Sequence, residues 1–135
     1  MPADAPRNLD GVSFLVVDDE AFFQSLHTRL LRQLGVSKIA TASNGLEALA
    51  HLDSTNPRPD VLLIDLSMPE MGGAELIRQL AERSYKGAVI LVSGADQETL
   101  IIAESMAKYR DVNVLGHIMK PVKPEALTEL LAKLR

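Results

Sequence analysis

The stretch "FLVVDDE" (residues 14–20) passes from an unbroken apolar run, Phe14 to Val17, into three adjacent acids, Asp18, Asp19 and Glu20. An apolar run with no polar alternation is what a strand covered on both faces requires, and such strands belong to parallel sheets flanked by helices. Adjacent carboxylates repel one another, and more strongly as they lose water. The end of this strand therefore needs either full solvation or a compensating cation, and the rest of the chain bears on which.

Working outward, apolar runs recur as "VSFLVV" (12–17), "KIATA" (38–42), "DVLLID" (60–65), "AVILVS" (88–93) and "VNVLGHIM" (112–119). The stretches between them are amphipathic. Over 20–34, Phe23, Leu26, Leu30 and Leu34 recur at helical spacing, and Gly35 supplies a stop. The segment 44–53 opens with Asn44 and carries Glu47 three residues on, which predicts a capped helix start. Leu76, Ile77 and Leu80 form the stripe of 73–83; Ile102, Met106 and Tyr109 are the apolar positions read in 96–110, which opens at Asp96. The last helix, 123–134, has Pro124 in its first turn and Leu127, Leu130, Leu131 and Leu134 on one face. Prolines mark "STNPRPD" (54–60) as a loop.

Five strands alternating with five helices predict an α/β fold: right-handed crossovers and a parallel sheet with helices on both faces. Such sheets bind ligands beyond the carboxyl ends of their strands, where the strand order reverses. The 135 residues suit one domain, expected over 11–135 behind a flexible lead-in over 1–10. With 47% apolar and 24% charged residues the composition is that of a globular protein. A net charge of −4 and a pI near 5.3 give no support for direct nucleic-acid binding. The absence of cysteine excludes disulfides, thiolate metal sites and cysteine nucleophiles. No apolar run has the length of a membrane span, and "MPADAPRNLD" lacks the pattern of a signal peptide, so a cytoplasmic location is expected.

Four strand ends carry reactive side chains: Asp18 and Asp19, then Asp65, then Ser93, then Lys120. Singly, each has a plain reading, as a helix-capping aspartate, a turn serine or a solvated surface lysine. On a parallel sheet, however, all four ends open on the same side, so the set converges. Three carboxylates together favour a bound cation, and oxygen-only ligands favour a hard one, best Mg²⁺. One carboxylate could then attack phosphorus to give an aspartyl phosphate, with Lys120 and the Ser93 hydroxyl meeting the phosphoryl oxygens.

With "VVDDE", "LLIDLSMPEMGG", "LVSGA" and "IMKPV" in this order, the chain resembles the receiver domain of two-component system response regulators (CheY-like) over residues 12–134. The resemblance implies a flavodoxin-like (βα)5 fold with strand order 2-1-3-4-5. It implies a signalling switch rather than an enzyme, accepting a phosphoryl group on Asp65 from a sensor histidine kinase, a phosphotransfer protein or a small phosphodonor. Mg²⁺ would be held by Asp19 directly, by Asp18 largely through water, by Asp65 and by the backbone carbonyl of Ser67. Ser93 would move toward the phosphoryl group, Lys120 would pair with its oxygens, and the Lys120–Pro121 bond would be cis. The family's aromatic switch position is His117 here, a residue that can titrate.

Output is expected through the face of the fourth helix, fifth strand and fifth helix, toward a downstream effector or an output domain. Apolar residues within 99–109 could leave a patch there for a partner or a homodimer. Residues 93–122 also resemble receivers joined to cyclic-di-GMP phosphodiesterase domains. Two other classes stay open: an interaction module that works without phosphorylation, and a phosphatase of the haloacid dehalogenase type. The latter wants a second aspartate where Ser67 stands.

Overall fold

The computed structural model describes residues 9–68, 71–94 and 97–134. Most of the expected lead-in lies outside the described residues, as do Ala95 and the Asp96 expected to open the fourth helix. Five strands alternate with five helices: β1 (Ser13–Val17), α1 (Ala21–Gln33), β2 (Lys38–Ala42), α2 (Gly45–Ser54), β3 (Val61–Asp65), α3 (Gly73–Glu82), β4 (Ala88–Ser93), α4 (Gln97–Tyr109), β5 (Asn113–Met119) and α5 (Pro124–Leu131). The strands form one parallel sheet in the order β2-β1-β3-β4-β5, as expected.

The continuous apolar runs resolve into two cores of period two. Leu15, Val17, Leu62, Ile64, Val89 and Leu91 join residues of α2, α3 and α4 on one face, among them Leu52, Leu76, Ile77 and Leu100. Phe14, Val16, Val61, Leu63, Ile90 and Val92 face the other way, onto Leu30 and Leu31 of α1 and Leu127 and Leu131 of α5. Every residue of β3 and β4 is buried, which is why neither strand carries a polar alternation. Leu9 and Asp10 belong to this packing too. Leu9 is buried in the second core, and Asp10 accepts a hydrogen bond from the Ser37 hydroxyl at 3.1 Å.

Helix ends follow local chemistry. Asn44 caps α2 by accepting from the Glu47 N–H at 2.8 Å, and the Glu47 carboxylate reaches back to the Ser43 N–H at 2.8 Å. Gly35 (φ 101°) ends α1, with its N–H on the Arg32 carbonyl and the Val36 N–H on that of Leu31.

Three features depart from the sequence reading. In α4 the buried residues are Leu100, Ala103 and Ala107, whereas Ile102 and Tyr109 are 55% and 89% exposed. Small side chains let the helix lie close to the sheet, so its inner face is the less hydrophobic-looking one. In α1 the centre of the buried face is His27, Leu30 and Leu31, with Leu26 and Leu34 only half-buried. Finally, β5 bulges: Val89 pairs with Val114 but Ile90 pairs with Gly116, which leaves Leu115 as the extra residue. The Lys133 ammonium donates to the Leu115 carbonyl at 2.9 Å and occupies the group the bulge frees.

Candidate functional site

Strand register alone brings the expected residues together. Val17 pairs with Ile64, so Asp18 follows beside Asp65. Asp65 pairs with Val92, so Ser93 follows it, and Ser93 pairs with Met119, so Lys120 comes next. All of these are at the carboxyl ends of their strands, and β1 and β3 are the pair about which the strand order reverses. The Lys120–Pro121 bond is cis, as expected, and a second cis bond, Asn56–Pro57, was not anticipated.

Carboxylate oxygens of Asp18, Asp19 and Asp65 lie within 4.8 Å of one another. Asp18 and Asp65 are buried, at 1% and 3% exposure, and Asp19 is exposed. Asp18 Oδ1 accepts from the Glu20 N–H at 2.9 Å. Its Oδ2 faces Lys120 Nζ at 3.0 Å and has no other partner among the described residues. Asp65 Oδ1 accepts from the Ser67 N–H at 3.1 Å, and its Oδ2 faces Lys120 Nζ at 3.4 Å. Lys120 is therefore no solvated surface lysine: its side chain is 9% exposed.

Burial raises the Asp65 carboxyl above the usual carboxylate range; the Ser67 N–H opposes it, the Asp18 charge adds to it, and Lys120 offsets part. For Lys120, burial works against the charged form, but the hydrogen bond to Asp18 and the charges of Asp65 and Asp18 outweigh it and raise its pKa. Two buried carboxylates with one ammonium between them leave a net negative pocket. The donor set, oxygen throughout with one exposed carboxylate and one buried Asp18 oxygen that faces only the Lys120 ammonium, fits a hard divalent cation.

The pocket opens as a cleft of about 470 Å³ lined by Asp19, Glu20, Phe23, Asp65, Ser67, Gly94, Lys120 and Pro121. Three of its features escape a reading of the strand ends. The Ser67 hydroxyl lies 3.3 Å from the Ser93 hydroxyl, so Ser67 contributes a side chain as well as backbone. Glu20, read only as a third acid, approaches Lys120 at 3.8 Å. Phe23, read as part of a core stripe, places its ring over the Lys120 ammonium.

His117 lies on β5, away from the cleft. Its Nδ1 is 2.6 Å from Glu104 Oε1 on α4, and Glu104 Oε2 is 2.9 Å from Lys108 Nζ. Ser93 is fully buried at the end of β4, between the acid pocket and β5.

The chain matches the family described as response regulator receiver domain over residues 14–132. It is 35% identical over 124 residues to the positive alginate biosynthesis regulatory protein of Pseudomonas aeruginosa, covering 90% of this chain and 46% of that protein. It is 28% identical over 122 residues to the chemotaxis protein CheY of Listeria monocytogenes, covering 90% of this chain and 97% of that one. The chain thus spans less than half of the first relative and nearly all of the second. Among solved structures, a response regulator receiver domain protein from Clostridium thermocellum superposes with a TM-score of 0.76 at 26% identity, over 89% of this chain and 90% of that one.

Proposed function

Since the chain belongs to the response regulator receiver domain family, we propose that Asp65 is the phosphoacceptor of a phosphorylation-controlled switch. Receiver domains are signalling switches that bind Mg²⁺ at their acidic pocket and interact with histidine kinases, phosphotransfer proteins and output domains. The observation that carries the assignment of Asp65 is its place: buried, flanked by Asp18 and Lys120, and open to the cleft that Asp19 and Glu20 line.

In the transfer, an Asp65 oxygen forms a bond to phosphorus as the bond to the donor breaks, a P–N bond for a phosphohistidine or a P–O bond for an acyl phosphate. The leaving group keeps the bonding pair. Asp18, Asp19, Asp65 and the Ser67 carbonyl are the proposed Mg²⁺ ligands. When bound, Mg²⁺ supplies positive charge to the carboxylates and to the phosphoryl oxygens. Lys120 exchanges its carboxylate partners for a phosphoryl oxygen, and the Ser93 hydroxyl turns from Ser67 toward another.

The rearrangement of Ser93 is passed to His117 and to the face built from α4, β5 and α5. Ile101, Ile102 and Tyr109 stand 50%, 55% and 89% exposed on α4, an apolar face offered to an effector or to a second copy of the chain. We assign residues 11–135, with Leu9 and Asp10 packed against them, to one such domain, acting in the cytoplasm. A cyclic-di-GMP phosphodiesterase domain is the proposed output where one is joined to it, on the strength of the 93–122 resemblance.

Intact mass after incubation with acetyl phosphate tests the reading. One added phosphoryl group that requires Mg²⁺ and is lost in Asp65→Asn is the expected result. No addition to the folded parent chain would instead favour an interaction module that works without phosphorylation, and turnover of phosphate esters would favour a phosphatase.

A further inference from the structure

One wall of the acid cleft is aromatic. The Phe23 ring centroid lies 4.0 Å from Lys120 Nζ. Two further rings back it: Phe22 meets it edge-on with 5.1 Å between centroids, and His27, one helical turn along α1, meets it at 5.8 Å. His27 is 1% exposed, and its Nε2 has no hydrogen-bond partner among the described residues. Burial lowers its pKa, with Lys120 adding to the effect and Asp18 opposing it, which leaves the ring uncharged at neutral pH. Lys120 thus lies between a carboxylate side and an aromatic side, largely out of water, where a cation–π contact is stronger than at an exposed surface.

The two sides restrain the ammonium differently. A carboxylate holds an N–H through a directed hydrogen bond, and each such bond occupies one of only three donors. A ring face attracts the charge as a whole and demands no lone pair at a fixed angle. An ammonium seated on a ring can therefore turn from Asp18 and Asp65 toward an arriving phosphoryl oxygen without leaving its seat. Without the ring, the flexible four-carbon stem is free to follow the other attraction in reach, the exposed Glu20 carboxylate 3.8 Å away at the cleft mouth.

We propose that Phe23 is a positioning residue for phosphoryl transfer, its ring holding the Lys120 ammonium over Asp65 while that ammonium changes partners. This rests on Asp65 being the phosphoacceptor. It goes further in assigning a function to a helix residue that donates and accepts no hydrogen bond at the site.

The test is the rate of phosphorylation by acetyl phosphate at saturating Mg²⁺ in chains carrying progressively fluorinated phenylalanine at position 23. Fluorination drains the negative ring face with little change of shape, so folding is preserved where Phe23→Leu removes the ring altogether. The rate should fall stepwise, to about threefold to thirtyfold below the parent, equivalent to about 0.7–2 kcal/mol at 1.4 kcal/mol per decade. Phe23→Trp should keep the parent rate. The Lys120 ε-methylene protons should show an upfield ring-current shift in the parent that Phe23→Leu abolishes. A rate indifferent to fluorination, or unshifted ε-methylene protons, would overturn the role of Phe23 and leave Asp65 as acceptor. A parent chain that takes up no phosphoryl group would instead remove the reading on which it rests.

Discussion

Asp65 is the residue at which burial and charge oppose each other. Burial raises its carboxyl pKa, with the neighbouring Asp18 charge adding to the effect, so the native chain holds a proton that the unfolded chain has already released. Below the ordinary carboxylate range both states are protonated and nothing is lost. As pH rises through the interval between the unfolded and the native pKa, stability falls, and at neutral pH the ionised group is a net cost. Asp65→Asn should accordingly be the more stable protein at pH 7 in chelator, by a few degrees in Tm, with the gain fading toward pH 3. Mg²⁺ should reverse the order, because a ligand that binds the native parent more tightly than the variant stabilises the parent more. Thermal melts with EDTA and with Mg²⁺ at both pH values check the sign. The acids, Ser93 and Lys120 were legible in the sequence because their place depends on one thing, being the residue where an apolar strand ends. The Ser67 hydroxyl, Phe23 and His27 were not, because their roles depend on which way a loop and a helix turn toward the cleft.

At the scale of the element, stability rests on close approaches that leave no room for a methyl group. Gly87 precedes β4, and a Cβ there would lie 2.1 Å from the Tyr85 hydroxyl oxygen and 2.7 Å from the Asp60 carbonyl oxygen. The Tyr85 hydroxyl donates to the Pro59 carbonyl at 2.6 Å, and the Ala88 N–H donates to Asp60 at 2.9 Å, so neither neighbour can move without breaking a bond. Gly87→Ala should cost about 1–3 kcal/mol, measured by urea unfolding. Combined with Tyr85→Phe it should cost less than the sum of the two, since the second change removes the obstructing oxygen. At the start of α2, Asn44→Ala removes the acceptor of the Glu47 N–H and should cost about 1 kcal/mol. Strand and helix spans were legible because their periods are local. The inner face of α4 was not, since Ala103 and Ala107 mark burial by smallness, which a search for bulky apolar residues passes over. The bulge at Leu115 was likewise invisible, because it is a property of pairing between β4 and β5 rather than of β5 alone.

For the whole molecule, the question is how an event at Asp65 reaches α4. The path is short and made of paired backbone: the Lys120 N–H donates to the Ser93 carbonyl at 2.9 Å, Ser93 pairs with Met119, and Leu91 pairs with His117. His117 is tied to Glu104, and Glu104 to Lys108, so β5 and α4 are latched by one carboxylate that serves two partners. A rearrangement that moves His117 away from α4 would break its 2.6 Å contact, and on the proposed switch the cost of breaking it would oppose switching. Glu104→Gln weakens the latch and should therefore favour the switched arrangement. By linkage, a ligand that prefers that arrangement should bind the variant more tightly, by about three- to tenfold for the phosphoryl mimic beryllofluoride with Mg²⁺. The pH dependence has a definite sign. Burial works against the Glu104 carboxylate, but its hydrogen bonds with His117 and Lys108 outweigh that and lower its pKa. The charged latch is then fully present above the ordinary carboxylate range and is lost as pH falls through the depressed native value. The affinity difference between parent and variant is expected at pH 7, where the Glu104 carboxylate is ionised, and titrations of the two chains side by side would read it directly. Equal affinities at pH 7 would place the restraint on switching elsewhere than in this pair.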